Sequence, residues 1–353
     1  MSIVGKEIKR LGLMKAYEFL DKNPEENLPK LIDWLDTYTK PGILKIQREF
    51  FRDVITKKDG NWYNLLVSLW DDIDDDVRKT LFENLVINSN ALAAVTAQES
   101  RKKYNCNVPW DIALNIADSN EKEDALDFDE WDNVIEQAKA LGTFMFIFQG
   151  GEPLDCQQEI IALCNKHDDC EFMVFTYGAG ITEAFADEAL RVKNLIVCVK
   201  VTGTPDDRKL LRSAAILHRK KLPYATYCTY EESNQDLFAR EEFFDSMVGA
   251  HVKMTFFFSS LPDGEDRVYQ KIMKYRRSKP LSTIHFCKDK QIIGGCVAGG
   301  RYFLNIDSVG NVQPCFFVRE SDTNLREKTL IEALQAPLMM SYHDQEQPCK
   351  AGK

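Results

Sequence analysis

The strongest structural signal in the chain is the segment Phe144-Met145-Phe146-Ile147-Phe148-Gln149-Gly150-Gly151-Glu152-Pro153-Leu154. It begins with an apolar run of strand length. Gly150 and Gly151 allow the backbone to pass close to a ligand. Glu152 supplies an acceptor for an ammonium group, and Pro153 fixes the exit of the turn. The segment predicts a strand followed by a tight turn, and two interpretations of the turn stay open: a ligand-binding loop or a plain strand-to-helix connection.

Strand-like and helical segments alternate on both sides of this turn. Candidate strands lie at 110–117, 144–149, 172–177, 195–201, 224–229 and 252–258, with helical spacing of apolar residues at 129–141, 159–167, 182–192, 207–221 and 240–248. Six such alternations predict an α/β fold with a parallel sheet. The architecture that fits them is a partial (β/α)6 TIM-like barrel, with functional groups at the carboxyl ends of the strands.

The spacing of apolar residues changes at two points along the sequence. Residues 1–104 show helical spacing and almost no strand-like alternation, which predicts an α-helical N-terminal module. Residues 105–280 form the predicted barrel. Residues 281–353 contain two apolar runs around Gly310 and a short helical segment at 325–334, and they predict a small α+β C-terminal region with a hairpin.

Composition excludes several classes of protein. The 353 residues carry 45 basic and 55 acidic side chains, a net charge of −10, which argues against a nucleic-acid binder because phosphate contacts require clustered cations. No apolar run reaches the length of a membrane span. The start of the chain lacks the apolar core of a secretory signal, so we expect a cytoplasmic protein. The ten cysteines are then expected to be thiols or metal ligands rather than a disulfide framework.

At the end of the second strand of a six-unit barrel, Gly150-Gly151-Glu152-Pro153 resembles the motif by which radical SAM enzymes bind the amino group of S-adenosylmethionine (SAM). The resemblance covers most of the chain, and the C-terminal part is similar to the SPASM or twitch regions of one subgroup. It implies a radical SAM fold and a binding role for these four residues. Further segments that carry it are 175–181, 185–188, 221–223, 295–301 and 310–315.

The residues that the family's chemistry requires are missing. Radical SAM enzymes hold a four-iron cluster on three cysteines spaced Cys-x3-Cys-x2-Cys in the loop after the first strand. That loop, at 118–127, contains neither cysteine nor histidine, and no three cysteines of the chain have the required spacing. Reductive SAM cleavage is therefore not expected, and SAM binding should be weak because the cluster supplies much of the affinity.

Two further positions depart from the family at the carboxyl ends of strands. Tyr177 stands where relatives carry a polar amide, and Thr202 stands where they carry an acidic residue for the ribose. A single loss of the cofactor-binding site explains these departures from the family pattern more simply than several independent substitutions do. The sequence therefore predicts a catalytically degenerate radical-SAM-like protein that binds a partner protein, a peptide or a small ligand in the former active-site cleft.

The C-terminal cysteines support an alternative. Cys296, Cys315 and Cys349 resemble ligands of the subgroup's auxiliary cluster, and Cys287 could supply a fourth thiolate. On this hypothesis the chain is an iron–sulfur enzyme of radical SAM type that uses an auxiliary [4Fe–4S] cluster. The competing interpretation is that these cysteines are small core residues. A third hypothesis is an altered form of an active enzyme, because the cluster loop and the tail look shortened.

Overall fold

The computed structural model describes residues 3–38, 52, 57–117, 124–204, 207–259, 261, 265–289 and 295–343. Every regular element described before residue 105 is helical. These elements are α1 (Ile3–Lys22), α2 (Pro24–Tyr38), α3 (Asn61–Asp72), α4 (Asp75–Leu81), a π-helical segment (Phe82–Leu92) and α5 (Ala93–Tyr104).

A single nine-stranded sheet follows, and its first seven strands lie side by side in chain order, all parallel. Its strands are β1 (Asp111–Asn115), β2 (Met145–Gln149), β3 (Glu171–Thr176), β4 (Leu195–Lys200), β5 (Tyr224–Thr229), β6 (Met254–Phe258), β7 (Ser282–His285), β8 (Phe303–Ile306) and β9 (Val312–Gln313). The eighth strand pairs parallel with β1, and β9 pairs antiparallel with β8. The sheet curls into a half-barrel, which confirms the predicted partial TIM-like fold.

Helices connect the parallel strands. They are α6 (Phe128–Leu141), α7 (Gln157–Lys166), α8 (Glu183–Val192), α9 (Arg208–Arg219), α10 (Gln235–Phe238), α11 (Glu241–Gly249) and α12 (Arg267–Tyr275), followed after the sheet by α13 (Leu330–Leu334) and α14 (Pro337–Met340). Several begin at side chains that satisfy their first backbone N–H groups. The side chains of Asp127, Thr182, Asp207 and Asp266 accept such bonds. The caps at Asp127, Thr182 and Asp207 explain why α6, α8 and α9 begin close to the predicted positions, whereas α12 was not predicted.

Alternation along the strands separates two apolar layers. Phe146, Phe148 and Phe172 are fully buried and face the helices, and Phe148 stacks on Phe172 with ring centroids 5.2 Å apart. Met173 and Phe175 belong to the second layer, inside the curl of the sheet. Because both faces of the sheet are covered, the central strands are apolar along their whole length rather than alternating, as expected of a parallel sheet.

Two features of the sheet differ from the sequence prediction. The parallel series continues beyond six strands to β7, whose Ser-Thr-Ile-His sequence carries no apolar run that would reveal it. The predicted C-terminal hairpin does form, as β8 and β9, but it joins the barrel sheet through β1 instead of standing apart. The division of the chain at residues 104 and 280 stays a prediction.

The π-helical segment docks on the loop that leads into β3. The Asn84 side chain donates to the carbonyl oxygens of Asp168 and Cys170 at 3.0 and 2.8 Å. Asn88 donates to the Asp169 carbonyl at 2.9 Å. Both asparagines are buried, so these bonds satisfy backbone groups that water cannot reach.

Two carboxyl groups lie at the amino ends of strands. Burial raises the pKa of Asp111, the first residue of β1, to about 8. Glu171, the first residue of β3, is fully buried, and neither carboxyl oxygen has a hydrogen-bond partner among the described residues. Burial raises the pKa of Glu171 well above its usual range, and the nearby Asn84 amide only partly opposes the shift. The Glu171 carboxyl is therefore protonated, and so neutral, in the folded protein at neutral pH.

Candidate functional sites at the barrel mouth and at a cysteine pocket

The Gly-Gly-Glu-Pro turn lies at the carboxyl end of β2, directly against the end of β1. Gly151 has φ +44°, and a Cβ atom there would lie 2.2 Å from the carbonyl oxygen of Ala117. Only glycine fits such an approach without moving the backbone. Pro153 then opens a short 3-10 turn (Pro153–Cys156). Ala117, the last described residue before the predicted cluster loop, lies beside this turn, and residues 118–123 of the loop lie outside the described part of the chain.

The Glu152 carboxylate holds the end of β3. Its Oε1 accepts hydrogen bonds from Thr176 Oγ1 at 2.6 Å and from the Leu154 N–H at 3.2 Å. Its Oε2 accepts one from the Tyr177 N–H at 2.9 Å. A carboxylate offers about four acceptor sites, so most of its capacity serves the protein itself. The geometry accounts for Glu152 as a brace between two strand ends, a role that the sequence pattern did not reveal.

The two residues that depart from the family pattern occupy neighbouring strand ends. Tyr177 is 43% exposed, and the Lys200 ammonium lies 4.9 Å from its ring centroid. Thr202 is turned toward the start of α9, where its N–H and Oγ1 both donate to Asp207 at 2.8 and 2.9 Å. Thr202 therefore supports a helix cap, while Tyr177 and Lys200 offer an aromatic face and a positive charge at the mouth.

A chain of amide side chains crosses from β2 to the C-terminal hairpin. Gln149 donates to Asn305 at 2.5 Å, Asn305 donates to Gln313 at 2.7 Å, and Gln313 donates to Asp307 at 3.2 Å. Local sequence patterns do not predict this set of hydrogen bonds, because only the pairing of β8 with β1 brings the four residues together. They fix the hairpin to the carboxyl edge of the sheet.

Aromatic side chains fill the inside of the curled sheet. Phe175 stacks on Tyr227 with centroids 5.0 Å apart and contacts Phe256 at 5.6 Å. The cluster continues to the C-terminal region, where Phe303 and Phe316 lie 4.3 Å apart. Its other members are Phe258 and Phe286. Such large rings leave little room inside this part of the barrel.

Three of the four predicted metal ligands line one small pocket. Cys287 comes from the segment after β7, Cys296 from the segment before β8, and Cys315 from the segment after β9. The remaining lining is apolar and consists of Phe286, Val297, Ala298 and Phe317. The fourth predicted ligand, Cys349, lies outside the described residues. The pocket therefore gathers thiols that are far apart in sequence, at the open side of the half-barrel.

The loop that presents Cys296 is held by close packing. Gly299 has φ +64°, and a Cβ atom there would lie 2.4 Å from the Tyr342 ring.

The spacing of the sulfurs bears on what the pocket can hold. Within the described part of the chain, one group of three His, Cys, Asp or Glu side chains has its ligand atoms all within 4.8 Å of one another, and that group does not include these cysteines. The three sulfurs therefore do not all lie within 4.8 Å of one another. Thiolates are suitable ligands for a larger iron–sulfur cluster.

Most other cysteines are core residues. Cys106, Cys164, Cys170, Cys198 and Cys228 are fully buried. Burial raises the pKa of the Cys164, Cys198 and Cys228 thiols well above the ordinary value, so they stay protonated and unreactive. Cys156, near the Gly-Gly-Glu-Pro turn, has its sulfur 3.8 Å from the Ile116 carbonyl oxygen.

Comparison with known proteins yields structural likeness only. No family model matches the sequence, and no curated protein is similar to it in sequence. SuiB of Streptococcus suis bound to S-adenosylmethionine has a TM-score of 0.54 and 14% identity, over 71% of this chain and 70% of that chain. SuiB bound to its precursor peptide SuiA gives the same score and identity over 71% of each chain. Native anSMEcpe with bound AdoMet and Kp18Cys peptide has a TM-score of 0.50 and 14% identity, over 66% of this chain and 82% of that chain.

These neighbours are radical SAM enzymes, and at this level of identity the likeness shows the fold. It agrees with the resemblance inferred from the Gly-Gly-Glu-Pro segment. None of the helices in the described part of the chain combines the length and the apolar character needed to cross a bilayer.

Proposed function

We propose that this chain is a cytoplasmic, catalytically degenerate radical-SAM-like protein, which uses the carboxyl edge of its half-barrel to bind a partner protein, a peptide or a small ligand. The observation that carries the proposal is the segment after β1, where residues 118–127 offer no thiol or imidazole for a cluster. Without three thiolates at that edge, SAM cannot be reduced by the family's route.

The side chains around the former cofactor position support the proposal. Glu152 is engaged by three protein donors, and Thr202 serves the cap of α9. The aromatic cluster occupies the space inside the sheet. Tyr177 and Lys200 present an exposed ring and a cation at the mouth, a combination suited to peptide or small-ligand contacts. The peptides bound to SuiB and anSMEcpe give a precedent for such a ligand on this fold.

The test is SAM cleavage under reducing conditions. We expect protein that is purified without oxygen, treated with iron and sulfide, and reduced with dithionite to release no 5′-deoxyadenosine from SAM. A chromatographic assay with an active radical SAM enzyme as positive control measures this. Release of one 5′-deoxyadenosine per chain or more would contradict the proposal.

A second candidate function rests on the cysteine pocket. Cys287, Cys296 and Cys315 meet there, and soft thiolate ligands in an apolar lining fit an auxiliary iron–sulfur cluster. Such a cluster would make the chain an iron–sulfur protein of radical SAM type even without the first cluster. On this hypothesis Cys349 completes the ligand set.

Iron content distinguishes this second function. If the pocket holds a cluster, anaerobically reconstituted protein should contain about four irons and four sulfides per chain. Cys296→Ser should remove most of the iron and the visible absorption. Cys156→Ser is the matched control, because Cys156 lies at the Gly-Gly-Glu-Pro turn and not in the pocket. Equal iron in the two variants, or none in the parent protein, would exclude a cluster on these thiols.

A further inference from the structure

Two histidines and an aspartate meet on the face of the molecule opposite the barrel mouth. Asp72 is the last residue of α3, His218 lies in the last turn of α9, and His251 follows α11 just before β6. Their ligand atoms all lie within 4.8 Å of one another. The site therefore joins the N-terminal helices to two helix ends of the barrel.

The contacts within this group are close. His251 Nδ1 lies 3.4 Å from Asp72 Oδ2, and the His218 and His251 rings stack with centroids 4.0 Å apart. His218 Nδ1 is buried and has no hydrogen-bond partner among the described residues. A buried ring nitrogen without a partner is costly unless something binds it.

The carboxylate of the group already faces a positive charge in the structure. The Lys253 ammonium already contacts Asp72 and donates to Ser68 at 2.7 Å. A cation is thus part of the site in the structure.

We propose that Asp72, His218 and His251 form a binding site for Zn²⁺ or a similar transition-metal ion, which fastens the N-terminal helices to the barrel. Two imidazoles and one carboxylate are a common zinc ligand set, completed by water. Tetrahedral bonds of about 2.1 Å need ligand atoms roughly 3.4 Å apart, a separation that small side-chain rotations supply here. Mixed nitrogen and oxygen ligands do not favour Mg²⁺ or Ca²⁺. The metal takes the place of the Lys253 ammonium on the carboxylate.

The location assigns the ion a structural role. Lys221 and His251 precede β5 and β6, so the site lies at the amino ends of the strands, away from the Gly-Gly-Glu-Pro turn. Its occupancy should therefore change the stability of the protein and leave ligand binding at the mouth unaltered. Metal binding to the folded state alone raises the unfolding temperature.

The experiment uses the full chain, stripped of metal with EDTA, and a Zn²⁺ titration in competition with a chromophoric chelator. We expect one site that His251→Ala weakens by at least about tenfold, the size of effect seen even for lesser changes around zinc sites. His251→Ala should also abolish the zinc-induced rise in unfolding temperature. His343→Ala, which removes an imidazole elsewhere, is the control and should change neither result.

Two measurements keep the proposal falsifiable. Lys253→Met removes the competing cation and should increase zinc affinity about fivefold, a gain that damage to the fold could not produce. Co²⁺ separates this site from the cysteine pocket, because cobalt bound by thiolates absorbs strongly in the near ultraviolet and cobalt bound by imidazole and carboxylate does not. Zinc affinity that is equal in the parent, His251→Ala and Lys253→Met proteins would overturn the proposal, as would thiolate absorption as the only cobalt signal.

Discussion

Gly151→Ala is expected to lower the free energy of unfolding by about 3 kcal/mol. Two costs add: an L-residue held at φ +44° is strained by at least about 1 kcal/mol, and the new Cβ would lie 2.2 Å from the Ala117 carbonyl oxygen. That oxygen belongs to the backbone and cannot rotate away. The ends of β1 and β2 must therefore separate, which disturbs the mouth of the barrel. Urea unfolding followed by circular dichroism measures the loss.

Gly249→Ala is the matched control for this substitution. Gly249 is the last residue of α11, and a Cβ atom there would have no neighbour within 4 Å. Its effect should stay within about 0.5 kcal/mol of zero. If both variants unfold at the same urea concentration as the parent, the close contact between the Gly-Gly-Glu-Pro turn and the end of β1 does not exist in the protein.

Glu171→Gln is expected to stabilise the protein at neutral pH by about 1–3 kcal/mol, because each pH unit above the unfolded pKa costs about 1.4 kcal/mol for a carboxyl that the folded protein keeps protonated. The folded protein keeps this carboxyl protonated because burial raises its pKa well above the unfolded value of 4.5. The unfolded chain releases the proton above that pH. The free energy of unfolding of the parent is therefore not reduced by Glu171 below about pH 4.5. It falls as the pH rises above that value, because the unfolded chain gains stability by releasing the proton. Glutamine has a similar shape and carries no proton to lose.

The pH dependence makes this prediction specific. The advantage of Glu171→Gln over the parent should be absent at pH 4 and should grow toward pH 7, measured by urea unfolding at each pH. Glu242→Gln, an exposed change on α11, is the control and should give no such trend. A difference between variant and parent that is the same at pH 4 and pH 7 would contradict a raised pKa of Glu171 in the folded state.

Much of the fold could be predicted because its strands are apolar and its helices are capped. Runs such as 144–148 are buried on both faces, so composition alone reveals them. The four residues of β7 lack such a run, and their pairing with β6 is decided by the rest of the sheet. The pairing of β8 with β1 depends on contacts between distant parts of the chain, which local patterns do not encode.

The candidate sites could likewise be predicted only where they depend on local sequence. The position of Gly150 to Pro153 at a strand end followed from the local sequence. The bracing role of Glu152 depends on Thr176 and Tyr177 from the next strand. The group of Asp72, His218 and His251 draws on two helices and the turn after a third, and it has no signature in the sequence. Such constellations arise only when the chain has folded.

The parallel contact between Asp111 and Phe303 has a consequence for biosynthesis. During synthesis, β1 leaves the ribosome long before β8, the strand that pairs with its outer edge. Until then, the nascent chain presents an unprotected row of amide and carbonyl groups next to several completed β-α units. Contacts of such long sequence separation slow folding and prolong exposure to aggregation. We therefore expect chains that are interrupted before residue 300 to depend on chaperones and to associate through this uncovered edge.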